Sequence, residues 1–433
     1  MEITKDIRYI GVNDHEIDLF EGQYEVPLGM AYNSYVILDE KVAVLDTVDG
    51  NFTREWLEKL EAVLNGRRPD YLIIHHMEPD HSAGITAFLA RYPDALLVGS
   101  QKAFTFLDQF YGPIGTRMPV KNGQELCLGA HTLRFLMAPM VHWPEVMVSY
   151  DRKDRVLFSA DAFGKFGAND VEDPEGWACE ARRYYFGIVG KFGGQVQRVL
   201  KDLSGLDVEQ ICPLHGPVLS EDLGYYLDLY DKWSSYTPEE PGVAVAYTSV
   251  YGHTRAAADL LGSLLEAGGV KVALMDLARE DIYECVEDAF RYDRLVLAST
   301  TYNGGVFPVM REFIEHLTER GYRNRTVAFL ENGTWAPMAA KTMRGLLDGM
   351  KDLKFLEETV TIRSAMTEAD KTAIAALAEA LLGKTEAPEP QAPVLKRWVC
   401  TVCGYVYEGE SLPEDFTCPL CMQDASVFEP MED

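Results

Sequence analysis

Between residues 75 and 84 the chain reads HHMEPDHSAG, which sets His75, His76, Glu78, Asp80 and His81 within seven positions just after the apolar run YLII. Neutral imidazole nitrogens and carboxylate oxygens are the usual ligands of zinc, iron and manganese. A lone histidine past a strand is more often a hydrogen-bonded core residue, and His15, His131 and His316 read that way. His75 joins them, because alternation along an extended segment turns it away from His76. Five metal-capable groups in one short window are a different matter. His76, Glu78, Asp80 and His81 therefore read as ligands.

One compact loop cannot supply a whole binuclear site. Three other apolar runs end in a metal-capable side chain: LRFLMAPMV before His142, VLFSA before Asp161 and EQICPL before His215. If these runs are strands, their ligands converge on one edge of a sheet. The candidate metal and catalytic set is then His76, Glu78, Asp80, His81, His142, Asp161 and His215. Tyr184 and Tyr185, in RRYYFGI, are candidates for a hydroxyl behind it, with no choice between them.

A second cluster closes the chain. Cys400-x2-Cys403-x14-Cys418-x2-Cys421 has the paired spacing of a tetrahedral four-thiolate site. A segment of about 40 residues could scarcely fold without such a staple. Zinc and iron both fit the cage. The remaining cysteines, Cys127, Cys179, Cys212 and Cys285, are scattered and read as inert.

The third constellation is VAVAYTSVYGHT, a strand followed by Thr248, Ser249, Val250, Tyr251, Gly252, His253 and Thr254 and then a helix. Hydroxyls and N–H groups at a helix N-terminus cradle phosphate, and glycine permits close approach. The segment is neither G-x-G-x-x-G nor a P-loop. Two later strand ends carry Ser299, Thr300, Thr301, Tyr302, Asn303 and Gly304, and then Asn332, Gly333, Thr334 and Trp335. Tyr302 and Trp335 are candidates to flank a flat ring.

Elements that position these groups follow from periodicity. In the first segment short strands SYVILD and VAVLDT meet at a two-residue Glu40-Lys41 turn, and a helix over 51–64 presents Leu57, Leu60, Val63 and Leu64. Further apolar runs make an α/β, layered mixed-sheet pattern. The second segment alternates strictly, with strands at 243–247, 270–275, 294–298, 326–330 and 355–361 and amphipathic helices between them. That is a doubly wound parallel sheet, which binds ligands at its carboxyl edge. The expected domains are 1–237, 238–383, a Pro/Ala/Glu linker over 384–396, and 397–433.

Composition limits the partners. With 68 acids against 40 basic residues in 433, the formal net charge is −28, which repels nucleic acid and anionic membranes. No apolar stretch reaches the roughly 20 residues that span a bilayer, and the start lacks a signal-peptide pattern, so a cytoplasmic location is expected.

The H-x-E-x-D-H motif, with the later His142, Asp161 and His215, resembles the metallo-β-lactamase fold over most of 1–237. Zinc hydrolases of that fold have His where Glu78 stands, and a hard anionic oxygen in its place suits iron. The second segment resembles flavodoxin, which binds FMN. Trp398, Tyr405, Tyr407, CGY and CPLC resemble rubredoxin, with a shorter spacer and with Met422 where glycine is usual. A left-handed backbone there would cost Met about 1 kcal/mol. A zinc ribbon is the alternative.

In this order the segments resemble the flavodiiron proteins, in the branch that ends in a rubredoxin-like domain. The resemblance implies one iron on His76, Glu78 and His142, a second on Asp80, His81 and His215, and Asp161 between them. It also implies one iron on the four cysteines, one FMN, and a head-to-tail homodimer or a dimer of dimers. The expected activity is reduction of dioxygen to water, of nitric oxide to nitrous oxide, or both. Electrons would come from NAD(P)H through a separate rubredoxin-type reductase. From Trp398 onward there are eight acids and no Lys or Arg, so this face is expected to meet a basic patch on the reductase. Rival readings are a preferential nitric oxide reductase, a binuclear zinc hydrolase, which leaves two redox modules idle, and a pure electron carrier, which leaves seven ligands idle.

Overall fold

A computed structural model describes residues 1–383, 396–409, 412–413 and 416–431. The expected linker falls largely on 384–395, outside the described residues. The chain separates into two compact units. One comprises Met1–Tyr184, Gly194–Asp231 and the described residues from 396 onward; the other comprises Tyr185–Gly193 and the chain from Lys232 to residue 383.

Two sheets build the core of the first unit. One has the strand order Ile7–Tyr9, Tyr35–Leu38, Val42–Leu45, Tyr71–Ile74, Leu96–Ser100, Thr116–Val120. The other runs Glu125–Cys127, Thr132–Met137, Met147–Asp151, Val156–Phe158, Gln210–Cys212. Ile37, Leu45 and Ile73 from the first face Leu133, Phe135, Met147 and Phe158 from the second in one dry cluster. Burial of such alternating apolar faces is what holds a two-sheet sandwich together. Helix Gln101–Tyr111 packs on the strands Leu96–Ser100 and Thr116–Val120, and the Ser100 hydroxyl caps it by accepting from Ala103 N.

Two local expectations need correction. The Tyr35–Leu38 and Val42–Leu45 strands are joined by residues 39–41, not by a two-residue turn. Asp39 leaves the ladder because its carboxylate accepts from the backbone N–H of His131 at 2.6 Å. Helix Thr53–Leu64 buries Trp56, Leu60 and Leu64, while Leu57 and Val63 are half-buried. The apolar stripe is rotated toward Trp56, whose indole N–H donates to Ser34 Oγ at 2.9 Å.

In the second unit five parallel strands lie in the order Val272–Asp276, Glu240–Tyr247, Tyr292–Tyr302, Arg325–Asn332, Leu353–Ile362. The strand Glu240–Tyr247 is flanked by the second and third strands in sequence, so the winding reverses at its carboxyl end. That crevice is where open α/β sheets bind ligands.

The carboxyl-terminal segment forms a three-stranded antiparallel sheet, Val406–Gly409, Lys396–Cys400 and Phe428–Pro430. Its small core is Cys400, Cys403, Cys418 and Phe428 with Trp398, Tyr405, Tyr407 and Phe416 packed around them. So few apolar residues leave stability dependent on what the four sulfurs hold.

Candidate metal centre

Each candidate ligand leaves the carboxyl end of a strand or the connection after it. His76 and Glu78 follow Tyr71–Ile74, and Asp80 and His81 sit in the one-turn helix Pro79–Ser82. His142 lies in the connection between Thr132–Met137 and Met147–Asp151, Asp161 follows Val156–Phe158, and His215 follows Gln210–Cys212. The fold brings all seven together as two adjoining groups, His76–Glu78–His142–Asp161 and Asp80–His81–His215.

Asp161 lies between the groups. Its Oδ2 is 3.1 Å from His142 Nε2 and 3.5 Å from His76 Nε2, while Oδ1 is 3.3 Å from His81 Nε2. Glu78 Oε2 sits 3.1 Å from His76 Nε2 and 3.0 Å from His142 Nε2. Asp80 Oδ2 is 3.3 Å from His81 Nε2 and 3.4 Å from His215 Nε2. The lone-pair nitrogens of His81 and His215 face each other at 3.0 Å.

These groups are polarised strongly. Burial opposes charge on His142, yet Asp161 and Glu78 push its imidazole up to about 9. Burial also opposes charge on Asp161, and His76, His81 and His142 hold its carboxyl well below the usual range. Glu78 is likewise lowered by His142 and His76 against burial. Asp80 Oδ1 and Oδ2 and Asp161 Oδ1 and Oδ2 are buried without a hydrogen bond. Orphaned carboxylate oxygens inside a protein are costly unless a cation satisfies them, so this donor set fits two metal ions. By contrast, the cluster of Asp6, His131 and Asp154 already contains a cation, the Lys153 ammonium, which contacts Asp6 and lies 3.0 Å from His131 Nε2.

Outer contacts orient the candidate ligands. His215 Nδ1 donates to the carbonyl of Ala31 at 2.8 Å. His76 Nδ1 donates to Glu145 Oε1 at 2.8 Å, a contact between residues 69 positions apart that sequence reasoning missed. His75 points the other way, into a buried pair with Asp46 at 2.6 Å and toward Ser149 Oγ at 2.7 Å. His15 needs correction: it is exposed and pairs with Asp170, outside any core.

The structure distinguishes the two tyrosines. Tyr184 is fully buried, its ring centroid 5.5 Å from that of His215, and its hydroxyl has no hydrogen-bond partner among the described residues. Burial and then the charges of Asp161, Asp80 and Glu78 keep this phenol protonated well above its ordinary range. Tyr185 instead packs on Phe186 and Trp233.

In the second unit, Gly252 (φ +89°) precedes helix His253–Ala267, and Asn303 and Gly304 are also left-handed. Several expected contact side chains serve the loops themselves. Thr248 and Ser299 hydroxyls meet at 2.9 Å, Thr301 Oγ1 accepts from Met338 N and Ala339 N, and Thr300 Oγ1 donates to the Asn332 carbonyl. The Asn332 side chain exchanges bonds with the Ser364 backbone, and Thr334 Oγ1 lies 2.9 Å from Ser364 Oγ. Ser364, after the fifth strand, was not anticipated. Thr254 is buried, Gly333 abuts Pro337, and Ser249, Val250, His253 and Tyr302 remain at least partly accessible. Tyr251 is 89% and Trp335 87% exposed. One exposed aromatic beside a glycine-opened helix N-terminus and another after the Arg325–Asn332 strand fit a flat, phosphorylated cofactor.

Around the four cysteines, all sulfurs lie within 4.8 Å of one another, and Cys400, Cys403 and Cys418 are buried. Two matching turns hold them: Gly404 N donates to Cys400 O, and Met422 N to Cys418 O. Gly404 has φ +76° and Met422 φ +59°, so Met422 adopts the left-handed conformation at a cost of about 1 kcal/mol.

Comparison with known proteins agrees with this layout. Residues 30–216 match the ODP family beta lactamase, 244–378 a flavodoxin domain, and 398–429 the rubrerythrin, rubredoxin-like domain. The anaerobic nitric oxide reductase flavorubredoxins of Aeromonas hydrophila subsp. hydrophila and Salmonella arizonae are each 28% identical, over 99% of this chain and 98% of their own. The flavodiiron protein from Giardia intestinalis superposes with a TM-score of 0.82 at 25% identity, covering 88% of this chain and 97% of that one. Rubredoxin oxygen:oxidoreductase from Desulfovibrio gigas gives 0.81 at 24% identity, covering 88% and 97%, a likeness of fold. The chain belongs to the flavodiiron proteins that carry a carboxyl-terminal rubredoxin domain.

Proposed function

We propose that the chain reduces dioxygen to water, nitric oxide to nitrous oxide, or both, at two irons held by the seven His, Asp and Glu side chains. His76, Glu78 and His142 would take one ion and Asp80, His81 and His215 the other, with Asp161 shared between the two groups. The observation that carries this reading is the division of the Asp161 oxygens, one toward each group. When bound, two ferrous ions and reduced FMN supply four electrons, the number that turns dioxygen into two waters without releasing peroxide.

The chain's own residues do the rest. Glu78 and Asp80 add anionic oxygen to an imidazole-rich set, which favours iron over zinc. Phe20, Tyr32 and Tyr184 wall the His215 side with aromatic rings and exclude water there. The unpartnered Tyr184 hydroxyl is left to donate a hydrogen bond to the bound substrate. The loop Thr248–Thr254 and its helix N-terminus hold the FMN phosphate, with the loops Ser299–Gly304 and Asn332–Trp335 beside it. Tyr302 and Trp335 flank the isoalloxazine. Cys400, Cys403, Cys418 and Cys421 would hold one further iron, which would supply one-electron exchange with an NAD(P)H-dependent reductase in the cytoplasm.

Preference for nitric oxide is the second reading, favoured by the names of the 28% identical relatives. Turnover of dioxygen and nitric oxide at matched concentrations, with the same reductase, tests both. Consumption of either gas supports the reading, and the faster one sets the preference. If neither gas were consumed by the fully reduced chain, it would be an electron carrier instead.

A further inference from the structure

Glu145 is a buried acid that the ligand set does not use. Its side chain is 0% exposed. Its Oε1 accepts from His76 Nδ1 at 2.8 Å and from Met77 N at 3.0 Å, and its Oε2 has no hydrogen-bond partner among the described residues. The backbone is pinned as well, since the Ser100 hydroxyl donates to the Glu145 carbonyl at 2.8 Å. Because Nδ1–H is committed to Glu145, the Nε2 lone pair of His76 points at Glu78 and Asp161.

The other group is furnished differently. His215 Nδ1 meets a neutral carbonyl, that of Ala31, and His81 Nδ1 is buried without a partner among the described residues. A carboxylate behind a ligating imidazole fixes its tautomer and raises its basicity, whereas a carbonyl does so less. Each group already has one carboxylate of its own, Glu78 or Asp80, and shares Asp161. Glu145 therefore places behind His76 a carboxylate that neither His81 nor His215 has behind its own ring.

We propose that Glu145 is a positioning residue that makes the two metal positions unequal, so that the ion held by His76, Glu78 and His142 is the more readily oxidised. This rests on the two-iron reading above. The negative charge acts through the His76 ring, stabilising the ferric over the ferrous ion at that position. Loss of the charge removes the difference between the positions while leaving every direct ligand in place.

The test is a redox titration of the metal-loaded full chain and its Glu145→Gln variant, after a metal count on each. Glutamine keeps the shape and can still accept from His76. The paired irons of the unaltered chain, followed apart from FMN and the four-thiolate iron, should show two resolved one-electron steps and, between them, a pair with localised valence. In Glu145→Gln the lower potential should rise toward the upper one. A tenfold loss in preference for the ferric ion corresponds to about 59 mV for one electron. Unchanged steps in a variant that keeps both irons of this site, three in all with the four-thiolate iron, would overturn the proposal. So would coincident steps or a fully delocalised pair in the unaltered chain, a measurement that stands even if the variant fails to fold. A count of two zincs would instead remove the two-iron reading on which the proposal depends.

Discussion

Asp161 is the side chain on which the two proposed metal positions would depend, because each of its oxygens faces a different group of imidazoles. Asp161→Ala should therefore abolish gas consumption and lower the metal content, while FMN still bleaches normally on chemical reduction; turnover above about 1% of the unaltered rate would contradict its role. Tyr184→Phe removes only a hydroxyl that bonds to nothing among the described residues. It should keep both metals and the fold yet slow turnover by about 100-fold, measured as gas consumption under constant flavin reduction. The seven side chains that the fold gathers into two groups were legible in the sequence because each follows an apolar run. The choice of Tyr184 over Tyr185 was not, because helix Trp177–Tyr184 passes into a π turn, Tyr185–Val189, where a 3.6-residue period no longer tells which side chain faces inward. Glu145 was equally hidden, since nothing local announces a partner 69 positions away.

At the scale of elements, the second unit was read most fully. Its five strands alternate with helices as expected, and strict alternation is the clearest pattern a doubly wound sheet offers. The details that escaped were hydroxyl and amide bonds between loops, such as those of Ser364, which leave no periodicity. In the first unit Trp56 escaped the predicted stripe although it is fully buried. Trp56→Ala should cost about 3–5 kcal/mol and shift the denaturant midpoint of that unit downward, followed by tryptophan fluorescence. The cysteine turns make a separate prediction. Cys418→Ser should remove the visible absorption of the four-thiolate iron and block reductase-driven turnover, yet spare turnover driven by chemically reduced flavin. Loss of both activities would contradict a role confined to electron delivery.

For the whole molecule, the proposed electron path runs from the four cysteines through the flavodoxin domain to the side chains of the paired site. The net charge of −28 and the acidic carboxyl-terminal segment would favour a basic surface on the proposed reductase. Reduction by that partner should slow steadily as ionic strength rises, because charges separated by more than about 8 Å are screened at physiological salt. An unchanged rate would dissociate the acidic face from docking. No helix among the described residues is long and apolar enough to cross a membrane.

The identity of the ions at His76–Glu78–His142 and Asp80–His81–His215 bears on all of this. Metal analysis and Mössbauer spectroscopy of the chain isolated from its natural host measure it directly. Two coupled irons, distinct from the four-thiolate iron, are the predicted result; two zinc ions in their place would contradict the account.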